Sequence, residues 1–344
     1  MTRLGPSLTS RLVRASGILV VLLIIAVVLS ASAGAVIVSP VEVGKVILNH
    51  LGIGHFSVAE ELDRIIWHIH IPRMLLGALV GFSLALAGVV LQGLFLNPLA
   101  DPYVIGISSG ATVGAGIAVL LGLSSIFMGF GVPVFAFISA SIAVMVVYGL
   151  AQRGGKVSML SFILAGVVVG SFMWAVLTLI LVVSPDQTLE KVIFWTMGSL
   201  AGSDLWSRVL VLAPFALIGF LVLYAFARDL NIFALGEESA RYLGLEVESL
   251  KRILIVMATL VTAAAVSVSG TIGFVGLVVP HITRRIVGPD HRILIPCSTL
   301  MGAILMIAAD AIARTAIRPS EIPVGVITAI LGAPFFLYLL RKAG

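Results

Sequence analysis

An all-α polytopic membrane protein is the fold class this sequence predicts, on three observations. Hydrophobic residues make up 60% of the 344 and charged residues 11%, where a soluble domain carries about a quarter charged. Apolar residues come in runs of about 20, the length that crosses a bilayer as a helix. The basic residues lie at the ends of those runs rather than on one face, so the net charge of +5 marks topology and not a nucleic-acid partner.

Taken in order, the runs give ten spans, at roughly 17–38, 70–93, 103–122, 132–150, 158–183, 207–227, 251–270, 274–288, 294–316 and 323–341, in one transmembrane domain over 1–344. The eighth is short for a crossing. With the N-terminus inside, 14 Lys and Arg fall on inner segments and 7 on outer ones, the bias of the positive-inside rule. That orientation puts both termini and the passage Arg228–Arg252 in the cytoplasm.

The first run follows Arg11 and Arg14 and passes through Ala31-Ser32-Ala33-Gly34-Ala35, the pattern of a cleavable leader. It stays uncharged to Val38, long enough to span, and is read as a retained helix. Residues 39–69 form an outer loop that closes on Trp67-His68-Ile69-His70. The tryptophan suits the membrane interface, and two histidines with no carboxylate or thiol in support suit packing better than a metal. Span two opens on Ile71-Pro72-Arg73, proline at a helix start. Its Gly77 and Gly81 invite the close approach of another helix, as do Gly110 with Gly114 and Gly166 with Gly170.

The turn after span two, Asn97-Pro98-Leu99-Ala100-Asp101-Pro102, holds two prolines that bias their predecessors away from helix. Gly106 to Gly110 then either opens a helix toward an anion or makes a tight connection. Gly154-Gly155-Lys156 fails as a phosphate loop, because position 150 is Leu and Val157 follows the lysine; any ATP used is bound by a partner. Phe194 to Trp206 is too polar and Gly-broken to span, and its two tryptophans set it at the outer interface. Ser267 to Gly276 is a Ser- and Gly-rich break, tolerable only if packed in protein or lining water. Gly88 and Pro98 recur as Gly270 and Pro280 at one offset, 182, which reads as an inverted repeat.

Asp310 is the one acid well inside a span, with Arg314 one turn on. The pair is either a structural ion pair or the ion site of an ion-coupled secondary transporter. No nucleophile–base set appears, and the single cysteine, Cys297, lies in an apolar run without disulfide or thiolate-metal prospects. No catalytic residue, metal or cofactor is assigned.

Arg228–Arg252 is the longest charged passage. Glu237 to Leu243 reads as a helix stopped by Gly244, with a second starting near Glu246 and running into span seven. Glu237 with Arg241, and Glu248 with Arg252, are acid-then-base pairs at i,i+4. So short a helix needs a surface to dock on, and its mixed charge suits a protein better than a lipid face.

Five stretches together resemble one family: Ile71-Pro72-Arg73 with Leu79-Val80-Gly81, Asn97 to Pro102, Leu235-Gly236-Glu237 to Leu243-Gly244-Leu245, Gly273 to His281, and Glu321 to Gly325 with Gly332-Ala333-Pro334. They are similar to the FecCD-type membrane subunits of binding-protein-dependent ABC importers for iron-siderophore, haem and vitamin B12. The resemblance implies a ten-helix permease of the B12-importer type in a bacterial or archaeal cytoplasmic membrane, with a second permease copy, an ATPase dimer below and a substrate-binding protein above. Gly236, Glu237, Glu238, Arg241 and Gly244 match the family's ATPase coupling helix. Asn97 and Leu99 match an inner gate, and Arg73 and Arg314 match outer arginines that meet the binding protein. His70 departs from the Arg of B12-type members, and Lys156 to Ser161 do not match the family's second inner constriction. The cargo stays open among metal chelates (siderophore, haem, corrinoid) and a small oxyanion.

Overall fold

The structure, a computed structural model, describes residues 8–32, 38–317 and 320–343. α1 (Leu8–Ser32) begins before the expected first span, because hydropathy marks only the apolar part of a helix that Arg11 and Arg14 extend at little cost. The end of that expected span, with the leader-like Ala33-Gly34-Ala35, lies outside the described residues. The outer loop is partly helical: α2 (Pro40–His50) is capped by Ser39 with proline in its first turn, and α3 (Glu60–Ile65) follows. A π turn at Ile66–His70 fuses α3 to α4 (Ile71–Leu94).

Span three is bent. A 3-10 turn at Pro102–Ile105 leads into α5 (Ile107–Leu120), and the chain then turns by 107° into a short stretch ending in α6 (Ile126–Gly129). α7 (Gly131–Ala151) runs into a hairpin of β1 (Gln152–Arg153) and β2 (Lys156–Val157). Gly154 and Gly155, at φ of +56 and +77°, make its two-residue turn, the conformation such hairpins ask of glycine. After it come α8 (Met159–Val183), α9 (Asp186–Thr196), α10 (Leu205–Ala225), α11 (Ala227–Phe233), α12 (Glu237–Tyr242) and α13 (Val247–Ser269). α14 (Val275–Val287), α15 (His291–Thr315) and α16 (Val324–Ala343) complete the chain. Seven stretches among the described residues are long and apolar enough to cross a membrane. The other three expected spans are bent α5, the 13-residue α14 and α16.

α4 is the hub, buried along nearly its whole length and packed against α10, α13, α14 and α15. Glycine makes this fit possible: a Cβ on Gly81 would lie 2.1 Å from the Gly302 carbonyl, and one on Gly88 would lie 1.9 Å from that of Gly276. α1, α8 and α10, by contrast, expose rows of large apolar side chains such as Ile24, Leu164 and Leu221.

The break at 267–276 is packed in protein. The Tyr103 hydroxyl donates to the Ile272 carbonyl and accepts from its amide, both at 2.9 Å, and the Ser199 amide donates to Ser269 O at 2.7 Å. The offset of 182 does not pair like with like. Gly88 is in mid-helix while Gly270 ends α13, and Pro98 is in a turn while Pro280 is inside α14, so that match is not the register of a repeat.

Candidate docking helix, inner turn and outer charge cluster

α12 is one and a half turns long, and its ends explain why it forms. Gly236 enters at φ +103° and Gly244 leaves at +87°. Beyond the helix, Leu245 N–H bonds Ala240 O and Gly244 N–H bonds Arg241 O, both at 3.0 Å, the paired C-terminal closure that a left-handed glycine permits. One face buries Ala240; Glu238, Arg241, Tyr242 and Leu243 are exposed, Tyr242 at 91%.

The charges behind this helix form a closed ring. Arg241 Nη2 lies 2.6 Å from Glu237 Oε1 and 2.9 Å from Glu248 Oε1. Lys251 Nζ lies 2.8 Å from Glu237 Oε2 and 3.4 Å from Glu248 Oε1. The expected Glu237–Arg241 pair is present. Glu248, expected to pair with Arg252, instead takes Arg241 and Lys251, because α13 starts at Val247 and turns Glu248 back toward α12 while Arg252 stays exposed. Lys251, a residue that sequence reasoning used only as a topology marker, is 1% exposed and also donates to Val157 O of the hairpin at 2.9 Å. Its spacing of three from Glu248 was the available signal.

Asn97 and Leu99 lie in the turn between α4 and the 3-10 turn. The Asn97 side chain is exposed but folds back on its own loop, its Oδ1 accepting the Leu99 amide at 2.9 Å, the local closure asparagine favours in turns. Leu99 is half-buried. Asp101 closes the loop by accepting the Tyr103 amide at 2.8 Å. Burial pushes its carboxyl up to about 6, against the lowering effect of that hydrogen bond. Above the turn an open groove of about 440 Å³ runs between the start of α5 and α8. Tyr103, Val104 and Ser109 line one side and Val167, Ser171 and Trp174 the other, with no charged residue in its lining.

At the opposite end Arg73 and Arg314 do not face outward. Both are 6% exposed and both lean on Asp310, itself 2% exposed. Arg73 holds Asp310 Oδ1 through Nη2 at 3.0 Å and Glu321 through Nη1 at 2.9 Å. Arg314 Nε lies 3.0 Å from Asp310 Oδ2 as an ion pair rather than an aligned hydrogen bond, and its Nη2 donates to Ser30 Oγ at 2.8 Å. A guanidinium so engaged is not offered to a second protein; only Glu321, with 44% of its side chain exposed, is at the surface. The histidines separate: His68 is exposed, while buried His70 sets Nδ1 3.2 Å from Ala31 O.

The chain is similar to known proteins along nearly its whole length. Residues 22–342 match the FecCD transport family. The chain is 47% identical to a cobalamin import system permease protein of Halobacterium salinarum over 83% of this chain and 76% of that one. It is 38% identical to a hemin transport system permease protein of Yersinia pestis over 95% of both. A solved structure, described as an inward-facing conformation of a candidate metal-chelate type ABC transporter, superposes with a TM-score of 0.84 at 31% identity, covering 96% of this chain and 99% of that one. A match over nearly the whole length, on a multi-helix fold of the same shape, makes this chain a multi-pass membrane protein of the FecCD transport family.

Proposed function

We propose that the chain is the permease subunit of an ABC importer that takes a metal chelate (iron-siderophore, haem or cobalamin) from a binding protein and passes it inward, driven by a separate ATPase dimer. The observation that carries this reading is α12: a mixed-charge helix closed at both ends by glycine, which presents Tyr242 and Leu243 with none of the described residues covering them. Tyr, flanked by charge, is what protein interfaces use as an anchor. Two copies of the chain flank the path, and Asn97 and Leu99 stand at its inner end as the gate.

The uncharged groove between α5 and α8 favours a large cargo whose charge is masked by its chelator over a bare oxyanion, which asks for donors such as Arg or Lys. Binding-protein docking through Arg73 and Arg314 takes an indirect form: the two arginines hold Asp310 and Glu321, and Glu321 presents the surface charge. An ion-coupled secondary transporter has no such support, since Asp310 already answers two arginines.

Reconstitution in liposomes with the ATPase and binding protein, and a panel of cyanocobalamin, haem, a ferric siderophore, ferric citrate and molybdate, tests this. ATP-dependent accumulation of one chelate is expected. Uptake driven by an ion gradient without ATPase overturns it.

A further inference from the structure

Three elements meet at Lys251. Its ammonium touches Glu237 of α12, Glu248 of its own α13 and the Val157 carbonyl of β2. Glu248 then reaches round to accept the Val157 amide at 3.1 Å. Both polar backbone atoms of Val157 are thereby held by α13, and the Val157 side chain is 1% exposed. The next residue, Ser158, caps α8, which is one wall of the groove.

A buried ammonium is stable only while its donors are met. Glu237 and Glu248 keep 37% and 26% of their side chains in solvent, so either acid finds water if it moves; Lys251 does not. A second route, from Arg241 through Glu248 to the Val157 amide, uses side chains that are 40% and 26% exposed, so the larger cost of separating α12 from the hairpin falls on the buried lysine. We propose that Lys251 is a positioning residue that links α12 to the hairpin and so to the inner end of α8, making displacement of the docking helix a displacement of the groove wall. This deepens the docking role proposed for α12 and rests on it.

Paired spin labels in lipid nanodiscs test the link. With Cys297→Ala as background, Lys156→Cys and Ser239→Cys, both at exposed positions, report hairpin to α12. Val104→Cys and Val168→Cys report across the groove. In the otherwise native chain the first distance is expected to be narrow, both free and with ATPase subunits trapped by ATP and vanadate, and the second is expected to change on trapping. Lys251→Met is expected to widen the first distribution at least twofold and to abolish the response of the second while ATPase still binds. Glu248→Gln weakens the same link from α13, outside the docking helix, and is expected to do likewise, which covers the case where Lys251→Met does not fold. A narrow first distance in both variants, or a groove response that is the same in variants and parent, overturns the proposal. The free-permease measurement needs no ATPase, so a failed link is told apart from a failed docking reading, which shows as no ATPase binding to the parent.

Discussion

Asp310 carries one negative charge and stands between two positive ones, Arg73 and Arg314, with Glu321 supplying the second acid at the rim. Removing the carboxylate takes away the acid that two buried guanidiniums share, leaving Arg73 with Glu321 and Arg314 with Ser30, and breaking such a buried pair costs about 3–5 kcal/mol. Removing Glu321, nearly half exposed, costs about 0–1 kcal/mol because solvent already screens it. Thermal unfolding of purified permease is thus expected to show a much larger loss for Asp310→Asn than for Glu321→Gln; equal losses would contradict the cluster as described. Half of it was legible in the sequence. Asp310 and Arg314 are one helical turn apart, which spacing reveals, whereas Arg73 arrives from 237 residues away, a contact that only the packing of α4 on α15 creates. The burial of Arg73 was illegible for the same reason: an arginine at a helix start looks exposed until its neighbours are known.

Among the elements, α12 was readable because its signals are local: acid at the start, base in the last turn, glycine at either end. α2, α3 and α11 were not, since a short amphipathic helix and a polar loop have much the same composition over so few residues. The hairpin was weighed as a phosphate loop and set aside, yet its Gly-Gly pair was a turn signal all along. For α12 the exposed ring of Tyr242 is expected to provide most of the grip on the ATPase. Tyr242→Ala should weaken ATPase binding to the reconstituted permease at least tenfold, a loss typical of an interfacial anchor. In the same assay, exchanging Glu237 and Arg241 keeps the net charge of the helix but sets a second cation against Lys251, so the ring cannot re-form and coupling is expected to fail. Unchanged ATPase affinity in Tyr242→Ala would move the interface elsewhere.

At the scale of the whole molecule the ten apolar runs foretold the helices well, because the bilayer leaves so few ways of satisfying a backbone. The bend in span three and the outer helices escaped, being decided by packing. Gly77, Gly81, Gly110, Gly114 and Gly166 sit at close contacts as their spacing suggested, but the partners came only with the fold. A Cβ at Gly302 would fall 2.3 Å from Gly81 O, where backbone has no room to yield, while one at Gly17 meets nothing within 4 Å. Gly302→Val is therefore expected to lower the unfolding temperature or the folded yield sharply, and Gly17→Val to leave both unchanged; equal behaviour would mean that α4 and α15 do not touch as described. The α4 seam also sets where motion is allowed. Side chains can change rotamer and slide past one another, but where main chain rests on main chain there is a single fit, like a keyed joint in masonry. The middle of the molecule is thus a fixed pier, and any give is left to elements whose apolar side chains face outward, such as α1 and α10.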